Sequence, residues 1–180
     1  MSQMSLNKTV VLVGMMGSGK TVIGRALATA LGVTFMDSDH EISLAANRTI
    51  SEIFMQDGNS FFRSAESKVI ERLLQGPPGV LSTGGGAFMS AENRKLIVNF
   101  GISVFLEADL EVLWERVRYK QSRPLLKTSN PKATLSRIFD DRKNQYNFAD
   151  LKITSDASCS IAQTTQNLLT ALIEWPDAFS

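Results

Sequence analysis

The stretch GMMGSGKT, residues 14–21, follows directly on the apolar run VVLV at residues 10–13. Glycines in such numbers weaken both helices and strands, so a stretch of this kind needs a compensating role. It matches the pattern G-x-x-x-x-G-K-[ST], whose glycines let consecutive backbone N–H groups turn toward phosphate oxygens. A helix that begins near Lys20 adds the positive end of its dipole. The stretch therefore predicts a polyphosphate site, with a flexible glycine turn as the alternative.

Two side chains of this motif have separate expected roles. A lysine at the position of Lys20 bridges the β- and γ-phosphates, and a hydroxyl at the position of Thr21 is a ligand of Mg²⁺. The motif thus predicts a nucleoside triphosphate as co-substrate and Mg²⁺ as its cofactor.

Short apolar runs alternate with helical patterns along the chain. The runs predict strands at residues 8–13, 33–37, 79–83, 102–107 and 151–154. Such alternation is typical of a parallel sheet with helices on both faces. Ligands of these sheets bind beyond the carboxyl ends of the strands, so we expect the chemistry in the loops that begin at Gly14, Asp37 and Gly84.

Capping residues mark several predicted helix ends. Gly32 follows a helical stripe that ends at Leu31, as expected of a C-cap. Asp109 precedes a stripe that begins at Leu110, and Asn130-Pro131 has the types favoured at an N-cap and the first helical position.

Composition restricts the possible partners. The chain has 180 residues, of which 43% are hydrophobic and 21% charged, with a net charge of +1, so we expect one globular domain over residues 1–180. The balanced charge argues against nucleic acid and anionic membranes as partners. The polar start MSQMSLNK and the absence of a long apolar run predict a cytoplasmic protein. We expect a monomer, and we interpret the single cysteine, Cys159, as a small buried or edge hydrophobe.

The sequence DSD at residues 37–39 ends the second predicted strand. Side chains one residue apart on an extended chain point to opposite sides, so Asp37 and Asp39 are expected to do different work. One carboxylate can face Mg²⁺ through water while the other faces an acceptor hydroxyl. The alternative is an N-cap for the helix that contains Ile42. His40, the only histidine, is interpreted as a surface or capping residue rather than a general base.

Glycines and arginines suggest an anionic acceptor. The sequence TGGGA at residues 83–87 follows the third strand, and its N–H groups suit a carboxylate or phosphate, although a plain turn into a helix near Ser90 is the alternative. Arg63 and Arg142 lie on helices with apolar faces, and two arginines aimed at one pocket would hold an anion bidentately. The alternative is that each pairs with a neighbouring acid, such as Glu66 or Asp140.

The stretch RPLLK at residues 123–127 stands between two predicted helices. A polar connection with a basic residue and a proline suits a mobile lid, and Arg123 would reach the transferring phosphoryl group when the lid closes. An ordinary solvated loop is the alternative.

Taken together, GMMGSGKT, DSD, FFR, TGGGA, RPLL and DDRKNQY resemble the shikimate kinase family, in order and spacing, from about residue 8 to residue 174. The resemblance implies a P-loop kinase fold like that of nucleoside monophosphate kinases, with three α/β/α layers and a five-stranded parallel sheet in the order 2-3-1-4-5. It also implies a lid at about residues 115–130 and a substrate-binding segment at about residues 37–72. The implied reaction is ATP-dependent phosphorylation of the 3-hydroxyl of shikimate, in aromatic amino-acid biosynthesis.

The resemblance also implies roles for individual residues. The residues implied to bind ATP are Gly17, Ser18, Gly19, Lys20, Thr21, Val22 and Arg123. The residues implied to hold shikimate are Asp39, Arg63, Gly85 and Arg142. Thr21 and, through water, Asp37 are implied at Mg²⁺, and Asp39 resembles the family's candidate base beside the catalytic Lys20 and Arg123. Where the family often shows R-x-P-L-Y, residues 142–146 read RKNQY, and no adenine-contacting residue is matched near residues 154–160.

Three other functions stay open on the residues alone. A kinase of another small hydroxy-acid, such as gluconate, would also use a P-loop and paired arginines. A GTP-driven switch usually carries N-K-x-D and D-x-x-G, and neither string occurs in the sequence. A catalytically idle nucleotide-binding module would be expected to lack some of the charged groups, which are all present.

Overall fold

A parallel sheet forms the centre of the computed structural model, which describes residues 5–120 and 123–180. Residues 1–4, in the polar N-terminal stretch, and residues 121–122, in the predicted lid, lie outside the described residues. The strands of the described residues are β1 (Thr9–Val13), β2 (Phe35–Asp37), β3 (Val80–Ser82), β4 (Gly101–Glu107) and β5 (Leu151–Thr154). Their order in the sheet is β2-β3-β1-β4-β5 and every pairing is parallel, which confirms the predicted order 2-3-1-4-5.

Helices connect these strands. In the described residues they are α1 (Lys20–Leu31), α2 (Ser38–Ala46), α3 (Ile50–Leu74), α4 (Ala91–Phe100), α5 (Leu110–Val117), α6 (Pro131–Tyr146) and α7 (Ile161–Ile173). Gly32 adopts a left-handed conformation with φ 66° after α1, and the side chain of Asn130 caps α6, as predicted. Asp109 stands at the N-cap of α5, but its side chain makes no capping hydrogen bond there.

Strand β1 separates two apolar cores. All five of its residues are buried, and alternate side chains point to opposite faces of the sheet. Val11 and Val13 belong to a core with α3, α4, α5 and α6, whereas Val10 and Leu12 belong to a core with α1 and α7. The predicted three-layer arrangement is therefore confirmed.

The segment from residue 37 to residue 39 differs from the expectation of an extended chain. Strand β2 passes into α2 at Ser38 without an intervening loop, so Asp39 lies in the first helical turn. The cause is the Asp37 side chain, whose Oδ1 accepts hydrogen bonds from the N–H groups of Asp39 (3.0 Å) and His40 (3.2 Å). Asp37 therefore caps α2, as the N-cap alternative predicts. Its contact with Mg²⁺ through water stays a prediction.

Two further features set the positions of the site elements. Helix α3 is interrupted at Gly58, where φ is 81°, so its first part can turn away from the part that carries the predicted substrate residues. Helix α6 runs without interruption to Tyr146, because no proline occurs after Arg142. Among the described helices, none combines the length and the apolar character that a membrane span requires.

Edge strand β5 is fastened to β4 by a side chain that precedes it. Asp150 Oδ2 accepts hydrogen bonds from the backbone N–H (2.8 Å) and the hydroxyl (2.7 Å) of Ser103, and the Asp150 N–H donates to that hydroxyl (2.9 Å). Ser103 is 1% exposed, so loss of the carboxylate would leave buried donors without a partner.

We expect Asp150→Ala to lower the free energy of unfolding by about 2 kcal/mol, since buried donors lose a charged acceptor. Urea unfolding at neutral pH measures the change. The control is Asp140→Ala, which removes an exposed ion pair with Lys143 and should change stability by less than about 0.5 kcal/mol. Equal effects of the two substitutions would contradict the role of Asp150.

Candidate functional site

The P-loop after β1, the start of α2 directly after β2 and the loop after β3 meet at the carboxyl edge of the sheet, around a cavity of about 390 Å³. We call it the P-loop cavity, because the P-loop, residues 14–21, forms one of its walls. The predicted residues that line it are Gly17, Gly19, Lys20, Thr21, Val22, Asp37, Asp39, Gly85 and Arg123. Ser18, also predicted to bind ATP, is fully buried and does not line the cavity.

The P-loop glycines adopt conformations that other residues rarely reach. The φ angles are 143° at Gly14, 85° at Gly17 and 98° at Gly19. Gly19 is also the N-cap of α1, where no side chain satisfies the first N–H groups of the helix. These N–H groups and the helix dipole therefore suit an anion in the P-loop cavity.

Lys20 lies over the P-loop. Its Nζ donates to the carbonyl oxygens of Gly14 (2.8 Å) and Met15 (2.9 Å), and the residue is 9% exposed. Burial, and next the positive charge of Arg123, lower the pKa of Lys20 to about 8. An anion in the cavity would compensate this positive charge.

The two aspartates of DSD both line the P-loop cavity, and Asp39 also faces a second one. Burial, and next the negative charge of Asp37, raise the pKa of Asp39 above its usual value. Asp39 Oδ1 is buried and has no hydrogen-bond partner among the described residues. A buried, unpaired carboxylate oxygen at the junction of two cavities is suited to receive a proton from a ligand hydroxyl.

The second cavity has a volume of about 490 Å³, and we call it the arginine cavity. It brings together the residues predicted for the acceptor, which are Asp39, Arg63, Gly85 and Arg142. Apolar side chains, including those of Phe54, Phe62 and Leu125, line other parts of it. A cationic region, a carboxylate and an apolar wall together suit a compact hydroxy-acid.

Arg63 lies against the glycine-rich loop and also pairs with an acid. A Cβ atom on Gly86 would stand 2.4 Å from Arg63 Nη2 and 2.8 Å from Cζ, so only glycine leaves room for the guanidinium. Arg63 Nη1 donates to Glu66 Oε2 at 2.6 Å, so the predicted alternative of an ion pair is correct for this arginine as well. Pairing and cavity lining coexist, because a guanidinium has five donors.

Arg142 is placed differently. Asp140 pairs with Lys143 at 2.9 Å, and not with Arg142, so the predicted alternative does not hold for that acid. Arg142 Nη1 lies 3.4 Å from the position that a Cβ on Gly85 would occupy. The guanidinium therefore stands beside the backbone of the third strand's loop.

Arg123 lines both cavities and stands before a short 3-10 turn, Pro124–Leu126. Its Nε is buried and has no partner among the described residues. Leu126 is 8% exposed and packs into the core with α5 and α6, so the predicted lid segment is anchored at this residue. The alternative of an ordinary solvated loop therefore does not describe the part at Leu126.

Several residues of the site were missed by the sequence analysis. Arg116 of α5 lines the P-loop cavity, and its Nη1 donates to the carbonyl of Gly17 at 3.2 Å. Ser155 also lines this cavity, and the Tyr146 hydroxyl donates to the carbonyl of Gly85 at 2.5 Å. No local motif marks Arg116 or Ser155, since their partners lie far away in the sequence, and Tyr146 lies in the RKNQY segment without a predicted role.

His40 and Cys159 are the two residues for which the sequence analysis predicted no role in the chemistry. His40 is exposed, and its backbone N–H contributes to the cap of α2, as the surface or capping interpretation predicts. Cys159 is partly exposed and lines the P-loop cavity, which is compatible with the edge position that the sequence analysis allowed. The loop after β5 carries Cys159 toward the nucleotide site, a placement that composition does not reveal.

Comparisons with known proteins give the same family that the motifs resemble. The family model for shikimate kinase matches residues 16–173. The chain is 56% identical, over 93% of its length and 86% of the relative, to a shikimate kinase of Ruegeria pomeroyi. The structure of a shikimate kinase from Acinetobacter baumannii in complex with shikimate superposes with a TM-score of 0.86 at 36% identity, covering 92% of this chain and 93% of the other.

A more distant likeness bears on the alternative acceptor. A gluconokinase structure from Sinorhizobium meliloti superposes with a TM-score of 0.60 at 20% identity, covering 94% of this chain and 93% of the other. At that identity the likeness concerns the fold alone.

Glu66 yields a pH-dependent prediction. Burial raises its pKa to about 6, against the opposing charge of Arg63, so the folded protein binds this proton more tightly than the unfolded chain. Ionisation of Glu66 therefore costs stability as the pH rises through about 6. We expect Glu66→Gln, which can still accept from Arg63, to raise the free energy of unfolding by about 2 kcal/mol at high pH and by little under acid conditions.

Urea unfolding at pH values of about 4.5 and 7.5, on either side of the titration, measures the difference. The control is Glu71→Gln on the exposed face of the same helix, which should show no such pH dependence. A Glu66→Gln protein that is equally stable at both pH values, relative to the unsubstituted protein, would contradict the assignment.

Proposed function

The chain belongs to the shikimate kinase family, and on that premise we propose how its two cavities transfer the γ-phosphoryl group of ATP to the 3-hydroxyl of shikimate. The observation that carries the proposal is the junction of the cavities. Both are lined by Met16, Asp39, Gly84, Gly85 and Arg123. A phosphoryl group held in the first cavity and a hydroxyl held in the second would meet at these residues.

On the nucleotide side, the P-loop N–H groups would surround the phosphates. Lys20 would leave the carbonyls of Gly14 and Met15 and bridge the β- and γ-phosphates, which offer a charged partner in their place. Val22, which is 49% exposed and lines the cavity, would contact the nucleotide with its apolar side chain. Phosphoryl transfer requires mainly positioning and charge compensation, and these groups supply both.

The residues present also fit Mg²⁺. This ion prefers one or two protein oxygens together with water and phosphate oxygens, and no cluster of three or more potential ligands occurs among the described residues. The Thr21 hydroxyl would bind the ion directly and Asp37 through water, since both line the P-loop cavity. When bound, Mg²⁺ neutralises phosphate charge.

On the acceptor side, Arg63 and Arg142 would hold the carboxylate of shikimate. Their guanidinium groups flank the backbone of Gly85 and Gly86, whose N–H groups can add hydrogen bonds. Glu66 keeps Arg63 in place through the 2.6 Å ion pair, and the apolar wall accommodates the ring. This arrangement would fix the ring so that one hydroxyl faces the junction.

Asp39 would orient that hydroxyl and accept its proton. The hydroxyl oxygen forms a bond to the γ-phosphorus while the bond from this phosphorus to the bridging oxygen of ADP breaks. The raised pKa of Asp39 makes it a better proton acceptor than an exposed aspartate. Arg123 would compensate charge on the transferring group, and closure of the segment at about residues 115–130 would exclude water.

We also propose a monomeric cytoplasmic enzyme without nucleic-acid or membrane partners. The net charge of +1 over 180 residues supports this proposal, because it offers no long-range attraction to polyanions.

A coupled assay of ADP release tests the function. With ATP and Mg²⁺, we expect turnover with shikimate and only background turnover with gluconate or without acceptor. Gluconate has a similar carboxylate but a flexible open chain, which must lose more conformational entropy on binding. Turnover with gluconate that equals or exceeds turnover with shikimate would contradict the assigned acceptor.

The role of Asp39 has a separate prediction. We expect Asp39→Asn to lower kcat by at least about 100-fold, because an amide cannot accept the proton. Affinity for MgADP, measured by isothermal titration calorimetry, should change little. The matched control is Asp57→Asn, which removes an ion pair with Arg48 remote from the reacting groups and should retain activity. A near-normal kcat for Asp39→Asn would overturn its role as proton acceptor.

A further inference from the structure

Ser155 makes contacts that the proposed reaction does not use. It follows β5, is 4% exposed, and its hydroxyl is hydrogen-bonded on both sides. The hydroxyl donates to the carbonyl of Ser18 at 2.9 Å and accepts from Arg116 Nη1 at 3.2 Å. Its own N–H donates to the carbonyl of Glu107, at 2.6 Å, so the residue is fixed to the end of β4.

The carbonyl of Ser18 belongs to the peptide group that joins Ser18 to Gly19. In a planar trans peptide, the C=O and N–H bonds point in opposite directions. A hydroxyl that holds the Ser18 carbonyl on one side of the loop therefore fixes the Gly19 N–H toward the other side. Gly19 lines the P-loop cavity and, with φ 98°, has the freedom to rotate if this hold is lost.

Arg116 holds the preceding peptide group, Gly17–Ser18. Its Nη1 donates to the Gly17 carbonyl at 3.2 Å, and its Nη2 donates to the Asp156 carbonyl at 3.3 Å. The N–H of that peptide, on Ser18, donates within the loop to the Met15 carbonyl at 3.2 Å. Gly17 also packs closely on α5, since a Cβ there would stand 2.7 Å from Val117 Cγ1. Two successive peptide groups of the P-loop are thus fastened from outside the loop.

We propose that Ser155, whose hydroxyl Arg116 holds, is a positioning residue that aims the Gly19 N–H at the phosphates of the nucleotide. It acts through the Ser18–Gly19 peptide group and does not touch the reacting atoms. This inference rests on the proposed phosphate site of the P-loop, and the ligand concerned is a polyphosphate rather than a base.

The test compares three variants with the unsubstituted enzyme. Ser155→Ala removes both hydrogen bonds of the hydroxyl, and Ser155→Cys keeps most of the volume but offers only a weak donor. The control is Ser158→Ala, in the same loop, whose exposed hydroxyl donates to Asp156 Oδ1 instead. MgATP and inorganic tripolyphosphate are the two probes, measured by calorimetry, and steady-state kinetics give KM and kcat.

We expect Ser155→Ala to weaken binding of both probes by the same factor, about threefold to tenfold, the effect of one or two hydrogen bonds. The KM for ATP should rise accordingly, while the KM for shikimate and kcat stay within about twofold. The affinities of Ser155→Cys should fall between those of Ser155→Ala and the unsubstituted enzyme. Those of Ser158→Ala should equal those of the unsubstituted enzyme.

Other outcomes separate the failures. Loss of MgATP affinity alone, with tripolyphosphate unaffected, would place Ser155 at the base and overturn the proposal. Unchanged affinity for both probes would also overturn it. So would a fall in both kcat and the melting temperature of the free enzyme with no change in affinity, because that would indicate a purely structural role. Failure of the unsubstituted enzyme to bind tripolyphosphate would instead contradict the phosphate site itself.

Discussion

The structure depends on one constraint, which is that a stretch of backbone must present its N–H groups to phosphate rather than to other parts of the chain. Three positive φ angles in the P-loop make this possible, and only glycine reaches them at little cost. Flexible glycines alone would not maintain the arrangement. The surrounding elements therefore hold the loop from several directions, by Lys20 on the inside and by Arg116 and Ser155 on the outside.

On the acceptor side, neighbouring groups also hold the binding groups in place, and here side chains as well as backbone are held. Arg63 is held between Glu66 and the backbone of Gly86, and Tyr146 binds the carbonyl of Gly85. Arg63 and the glycine-rich loop, which would both contact the acid, thus each have a fixed support. The buried Glu66 carboxylate costs stability, which is consistent with a residue kept for the position of its partner rather than for the fold.

Much of this organisation was predictable from the sequence, because the signals are local. The P-loop pattern, the apolar runs and the capping residues each lie within a few positions, and they predicted the strands, the helices and the three strand ends at which the site lies. The supporting contacts were not predictable in this way. Arg116 and Gly17 are 99 positions apart, and Ser155 and Ser18 are 137 apart, so only the folded chain brings them together. The strand-to-helix transition at Ser38 was missed because one Asp37 side chain can cap a helix as readily as face a ligand.

The contact between Arg63 and Gly86 also limits how the acceptor range of this enzyme can be changed by design. Any side chain at position 86 would displace the guanidinium, so enlarging this residue would also move one of the groups predicted to hold the acid. On the apolar side of the arginine cavity, Phe62 is 3% exposed and belongs to a buried core, whereas Leu125 is 43% exposed. Libraries that aim at new hydroxy-acids should therefore vary Leu125 first and change Gly86 only together with Arg63.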